Sequence, residues 1–217
     1  MRAFITETLI HSHDKMIQIR YTRCMKLSIL PFLFSVKIMS ATIFFKPLTQ
    51  SDLPLLFAWF RQPYIAQLWA EPSDYPIFEQ KWLSKLHNSL DTTHRYIACD
   101  EHGPFGYIHY YHVNDNDRSH FPNVAIPAGS VGMDLFIADQ TRLGKGLGTQ
   151  MIKSFIAHLK AQEPACPAII IDPAPDNTRA IACYKKVGFE EVGEFVVPYG
   201  GPAGIGPGAT LLMKFTF

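Results

Sequence analysis

Two strand-to-helix units follow one another between residues 131 and 188, and that order constrains the fold more than any other feature of the chain. Val131, Met133, Leu135 and Ile137 alternate with Gly132, Asp134 and Phe136, the period-two pattern of a β-strand, so Asp134 projects from one strand face. The run RLGKGLGT (142–149) comes next, and Met151, Ile152, Phe155, Ile156 and Leu159 then recur at helical spacing. Gly144, Gly146 and Gly148 remove side chains where backbone N–H groups close around an anion, and the helix N-terminus adds its free donors and dipole. A pyrophosphate suits such a turn; a purely structural glycine-rich start to a helix is the alternative. The spacing is not GxxxxGK[ST], and Lys145 lies inside the loop instead of after it. The second unit is a strand at 168–172, the connection PAPDN, and a helix carrying Asn177 near its start and Tyr184 further along. Gly188 stands where a left-handed helix stop is expected.

Upstream, the order is also mixed. A short strand is expected at 42–45, a helix capped by Ser51 or Asp52 with Leu53, Leu56, Phe57 and Phe60 at helical spacing, and a second helix at 78–90. Strands at 95–99 and 105–113 are joined by a tight turn at Glu101, His102 and Gly103, and the polar stretch 114–129 reads as a loop. With 217 residues, 47% hydrophobic and 18% charged, the chain suits one domain of α/β class. That domain is placed at 40–217. Residues 1–39, with six basic and two acidic side chains, are taken as an N-terminal extension or upstream sequence ahead of Met39. The apolar run 27–36 is too short for a membrane-spanning helix and is followed by no clean cleavage site, so no membrane association is expected.

Net charge is +1, which offers no general reason for a nucleic-acid partner, and the 14 basic and 17 acidic residues after Met39 suit a small cationic substrate. Cys24, Cys99, Cys166 and Cys183 form no CxxC pair and read as reduced thiols of a cytoplasmic protein. His109 and His112, with Asp115 and Asp117 beyond them, could suggest a metal site. Strand positions three apart point to opposite faces, so no metal is expected and these residues are assigned to packing or surface.

The segments GKGLGT and NTRAIACYKKVGF resemble the acetyl-CoA core of the GCN5-related N-acetyltransferases (GNAT superfamily). Within it, SVGMDLFIADQTRLGKGLGT and DPAPDNTRAIACYKKVGFEEVG are similar to the aminoglycoside 6′-N-acetyltransferases, a likeness that extends upstream through LPLLFAWFRQPYIAQLWAEP and RYIACDEHGPFGYIHYY. Leu143 departs from the loop pattern R/Q-x-x-G-x-G at its first position.

The resemblance implies a central twisted mixed sheet, flanked by helices and splayed between its fourth and fifth strands, with acetyl-CoA as cosubstrate. It implies cofactor contacts from Phe136 and Ile137, from Arg142, Leu143, Gly144, Lys145, Gly146, Leu147, Gly148 and Thr149, and from Asn177, Ala180 and Tyr184. Tyr184 matches the family's general acid, facing the departing sulfur, with a core aromatic as the alternative. Asp134 matches the aspartate beside the reacting amine, able to hold the cation and to take its proton directly or through water; a charged residue on a partly exposed strand is the alternative. Asp172 matches a second substrate-contacting acid or is a cap before Pro173. Backbone N–H groups near Phe136 would polarise the thioester carbonyl. Trp59, Trp69 and Tyr64 line the substrate cleft or belong to the core.

The acceptor expected from this likeness is the 6′-amine of an aminoglycoside or a similar amino-sugar. The stretch SHFPNVAIPAGS (119–130) holds no acid, where the 6′-acetyltransferases carry acidic residues suited to a polycation. Acylation of a lysine derivative in siderophore biosynthesis is the second reading, and a non-catalytic acetyl-CoA sensor the third. A monomer or homodimer is expected.

Overall fold

Strand β1 (Phe44–Pro47) starts the part of the chain that the computed structural model describes, residues 42–199 and 206–217; the extension 1–39 lies outside the described residues. Pro47 cannot donate to a ladder, which suits an edge strand, and β1 begins two residues later than its apolar pattern suggests. A 3-10 turn (Gln50–Asp52) leads into α1 (Leu53–Phe60), which buries Leu53, Leu56, Trp59 and Phe60; α2 (Pro63–Ala66) follows. Helix α3 is Tyr75–His87, three residues earlier than the hydrophobic spacing alone indicates. Asp74 accepts from the Ile77 N–H as its N-cap, and Asn88 turns to an extended conformation with its side chain accepting from Leu90 N–H, so the helix ends before Leu90.

β2 (His94–Asp100) and β3 (Gly103–His112) form the expected hairpin. The stretch 114–129 is not all loop. Asn114 and Asp117 make a reciprocal capping box that sustains the one-turn helix α4 (Asp115–Ser119). Then come β4 (Val131–Ile137), a 3-10 turn (Gln140–Arg142), α5 (Leu147–Gln162), β5 (Ala168–Ile171) and α6 (Thr178–Val187), closed by Gly188 at φ 112°. β6 (Glu190–Val197) and β7 (Gly208–Thr216) complete the sheet beyond the reach of the motif-based reading.

Among the described residues the sheet has seven strands in the order β1-β2-β3-β4-β5-β7-β6, antiparallel except for the parallel pair β4 and β5. The alternation along each strand sorts side chains onto two faces, and a smaller third cluster gathers Val113, Phe121, Ile170, Val197 and Leu212. On one face Ile108, Val131, Met133 and Ile169 pack under α5 and α6 through Met151, Phe155 and Ile181; on the other, Ile97, Tyr107 and Phe136 pack under α1 to α3 through Phe60, Phe78 and Trp82. Among the described residues no helix is long and apolar enough to cross a membrane.

Candidate active site

β4 pairs with β3 along its whole length, from Val131↔His112 to Ile137↔Gly106, but with β5 only at Val131↔Ile169 and Gly132↔Ile170. Beyond Gly132 the two parallel strands part, and β4 has a bare edge. The ladder's parity tells which groups that edge exposes. Val113 N–H donates to Ser130 O (3.0 Å) and Ala138 N–H to Phe105 O (2.7 Å), so the even-numbered residues of β4 face β3. Leu135 and Ile137 therefore turn their backbone N–H and C=O groups into the splay, while Phe136 spends its own on β3. The free donors near Phe136 are thus those of its neighbours, and such a bare edge demands a partner.

A cavity of about 290 Å³ occupies the splay. Its walls include Phe136 and Ile137 from β4, then Leu143, Gly144, Gly146, Gly148 and Thr149 from the glycine-rich turn, and Asn177, Ala180 and Tyr184 from α6. Gly144 and Gly146 adopt φ of 75° and 84°, which only glycine enters without strain, and Gly146 is the N-cap of α5. At Gly148 a Cβ would meet Cys183 Sγ at 3.3 Å, so the two helices approach closely there, and Thr149 Oγ1 lies 3.3 Å from the same sulfur. The first turn of α5 thereby aims unbonded N–H groups at the cavity.

Three residues of this segment are placed otherwise than the loop pattern suggests. Leu147 is buried in the core, Lys145 is exposed outside the cavity wall, and the Arg142 guanidinium turns away to pair with Asp100. Asn177 Oδ1 caps α6 by accepting from Ala180 N–H at 3.3 Å. On α2, the Tyr64 hydroxyl donates to Ile137 O at the end of the bare edge; burial pushes its pKa up to about 12, with Arg179 opposing.

Tyr184 is buried at the cavity wall against Phe189. Burial first, and then the charge of Asp134, raise its pKa well above the ordinary phenol value, so it keeps its proton. Asp134, on β4, is half-exposed and is not among the residues that wall the cavity. Its Oδ2 is 3.0 Å from His109 Nε2, on the directly opposite residue of β3, whose side chain is only 13% exposed and whose Nδ1 is buried with no protein partner. The Trp69 ring meets His109 edge-on at 5.9 Å and also lines the cavity. Trp59, by contrast, is buried edge-on against Phe136 at 6.2 Å and touches no cavity wall, because α1 turns it into the sheet.

His109 is the residue that the sequence did not reveal. Along β3 its side chain points to the opposite face from that of His112, which faces Glu163 at 3.6 Å; among the described residues no group of three metal-ligating side chains converges. Only the pairing register brings it to Asp134. Asp172, just past β5, is pushed up to about 7 by burial and then by the negative charge of Asp134, with the Tyr199 hydroxyl opposing and Asp117 adding to the rise. Tyr111, whose ring lies where a Cβ on Gly132 would sit, is raised by burial and then by Asp134, Asp172 and Asp117. Three carboxylates thus share one electrostatic environment beside the cavity.

A splayed parallel pair, a glycine-rich helix start at its mouth and an acid opposite a buried tyrosine define an acyl-CoA transferase fold, and the profile of the acetyltransferase (GNAT) domain matches residues 49–197. The chain belongs to that family and is an N-acetyltransferase that uses acetyl-CoA. It is 34% identical over 160 residues to the aminoglycoside N(6′)-acetyltransferase type 1 of Klebsiella pneumoniae, covering 72% of this chain and 77% of that protein. It is 27% identical over 146 residues to the lysine N-acyltransferase MbtK of Mycobacterium tuberculosis, covering 66% and 67%. The crystal structure of aminoglycoside acetyltransferase AAC(6′)-Ib with coenzyme A and kanamycin superposes with a TM-score of 0.65 at 28% identity, over 81% of this chain and 95% of that one.

Proposed function

We propose that residues 40–217 form one catalytic unit that transfers the acetyl group of acetyl-CoA to the 6′-amine of an aminoglycoside or a similar amino-sugar. The observation that carries this reading is the His109–Asp134 pair at the point where β4 loses its β5 partner, with the protonated Tyr184 at the cavity wall and within reach of the Asp134 charge. The free C=O of Leu135 and N–H of Ile137 hold the pantetheine arm, and the first turn of α5 holds the pyrophosphate through backbone donors. Asp134 receives the acceptor's ammonium group. An amine must shed a proton before it attacks a thioester, and an imidazole beside a carboxylate accepts one at neutral pH better than a carboxylate alone. In this reading the Leu135 N–H stabilises charge on the carbonyl oxygen, and Tyr184 returns a proton to the departing sulfur.

The acceptor reading is supported by likeness to a protein named for 6′-acetylation, which exceeds the likeness to the lysine N-acyltransferase. It is supported also by charge. The stretch 119–130 has no acid, but Asp117 from α4 and Asp172 just past β5 act on the same ground beside Asp134. A cytoplasmic reaction matches the supply of acetyl-CoA, and antibiotic resistance is the outcome such transfer would have.

A thiol-release assay with acetyl-CoA tests this across kanamycin, tobramycin, lysine derivatives and polyamines. Turnover of the aminoglycosides at least tenfold above the others in kcat/KM is expected. Preference for the lysine derivatives would replace the acceptor, and saturable acetyl-CoA binding without turnover of any amine would remove the enzyme reading.

A further inference from the structure

Asp100 is the last residue of β2, and its side chain is fully buried although nothing in the chemistry of the cavity uses it. It holds two partners. Oδ1 accepts the His102 N–H at 2.9 Å, which shapes the β2–β3 turn, and both oxygens face the Arg142 guanidinium, with Nη1 at 3.4 Å from Oδ1 and Nη2 in direct contact with Oδ2. The guanidinium also covers the Phe105 ring at 5.0 Å. Burial alone pushes the carboxyl up; Arg142 and the His102 N–H more than reverse this, so Asp100 stays ionised below the usual carboxylate range.

Arg142 closes the 3-10 turn Gln140–Arg142, its N–H bonded to Asp139 O at 3.1 Å, and Leu143 and Gly144 of the cavity wall follow it directly. The glycines that form the anion cradle have no side chains to anchor them, and the two at φ above 70° are free of any neighbour within 4 Å of a Cβ. The turn is therefore tied down at both ends and not in the middle: at its far end by the packing of Leu147, and at its near end by one bidentate pair to a carboxylate fixed in the sheet.

We propose that Asp100 is a positioning residue for the cofactor loop, acting through Arg142, which anchors the loop to the β2–β3 hairpin instead of touching the cofactor phosphates itself. This rests on the assignment of residues 142–149 to acetyl-CoA. It makes a prediction opposite in sign to the more obvious role for an arginine at that position. If Arg142 were a phosphate ligand, removing the charge of Asp100 would free it and leave acetyl-CoA binding unchanged or tighter. If Arg142 is an anchor, the same change loosens the loop and weakens binding.

The test is steady-state kinetics with acetyl-CoA varied at saturating acceptor, together with the acetyl-CoA Kd by calorimetry, for Asp100→Asn, Arg142→Gln, Arg142→Lys, the double variant Asp100→Asn/Arg142→Gln, and Gly146→Val as a loop control. Asp100→Asn and Arg142→Gln should each raise the acetyl-CoA KM and Kd by about five- to tenfold with kcat within about twofold. The double variant should be no worse than either single one, because both remove the same link. Arg142→Lys, which keeps the charge but not the fork, should fall between. Unchanged or tighter binding in Asp100→Asn overturns the proposal, as do multiplicative effects in the double variant. If Asp100→Asn does not fold, an unchanged acetyl-CoA KM in Arg142→Gln overturns it alone. Wild-type binding by Gly146→Val would instead overturn the loop assignment, and the proposal with it, whereas loss of binding there with normal Asp100→Asn overturns the anchoring role alone.

Discussion

His109 Nε2 lies 3.0 Å from Asp134 Oδ2, each residue directly opposite the other in the β3–β4 ladder. The strands fix both backbones, so the pair needs no loop to assemble it, and the bare edge of β4 begins one residue earlier. His109→Gln should lower kcat about 10- to 100-fold and Asp134→Asn at least as much, with the acetyl-CoA KM within about twofold in both. Because the two side chains act together, the double variant should be close to the worse single one. A His109→Gln enzyme with wild-type kcat would show that Asp134 works without it.

Tyr184 is buried with its pKa above the ordinary phenol value, a direction that burial and the charge of Asp134 both favour. It therefore remains a proton donor throughout the range in which the enzyme can be assayed. Tyr184→Phe should reduce kcat about 10- to 100-fold while calorimetry gives an acetyl-CoA Kd near wild type. The alkaline limb of the wild-type pH profile should lie where it does for reasons other than Tyr184, and should not move in the residual activity of Tyr184→Phe.

Asp172 titrates at about 7 in the folded chain, against 3.8 as its reference value, through burial and the neighbouring charge of Asp134. A carboxyl whose folded pKa is raised favours the folded state below the unfolded pKa, and that contribution fades as pH rises through the folded value. Asp172→Asn should match wild type near pH 4, gain on it progressively, and reach its full advantage above pH 7. After allowance for the carboxyl's partial exposure the gain is on the order of 1–2 kcal/mol, or roughly 3–6 °C in Tm. Thermal melts at pH 4, 6 and 8 check this; a constant difference across the three would contradict it.

Trp59 on α1 and Trp69 just after α2 should separate cleanly. Trp59 is core, and Trp59→Ala should cost about 3–5 kcal/mol of stability while the folded fraction keeps its KM values. Trp69 lines the cavity and touches His109, so Trp69→Ala should raise the acceptor KM severalfold and leave acetyl-CoA binding nearly intact. Denaturant titration paired with acceptor kinetics on both variants provides the comparison.

Much of the site was legible before any coordinates because its parts are local. The strand at 131–137, the helix started by Gly146 and the stop at Gly188 depend on alternation, on freedom at positive φ and on a helix end, all of which act within a few residues. The differences from the sequence pattern are local in origin too. α3 lies earlier than its hydrophobic spacing indicates because the cap at Asp74 and the turn at Asn88 outweigh that spacing, and α4 forms in a polar stretch because a capping box can hold a single turn. Trp59 on α1 and Trp69 in the connection after α2, ten residues apart, have the same chemistry in sequence and opposite placements in space.

The strand–turn–helix order follows from residue type and short-range spacing, and the candidate roles of Asp134 and Tyr184 from the family resemblance that those segments carry. Tertiary structure decided which groups meet. The register of β3 on β4 selected His109 from among the histidines, the parting of β4 from β5 exposed Leu135 and Ile137, and the turn of Arg142 toward Asp100 crossed forty-two residues of chain. A one-residue slip in that register would send every side chain of β4 to the other face, which is why a pairing between distant strands cannot be read from either strand by itself.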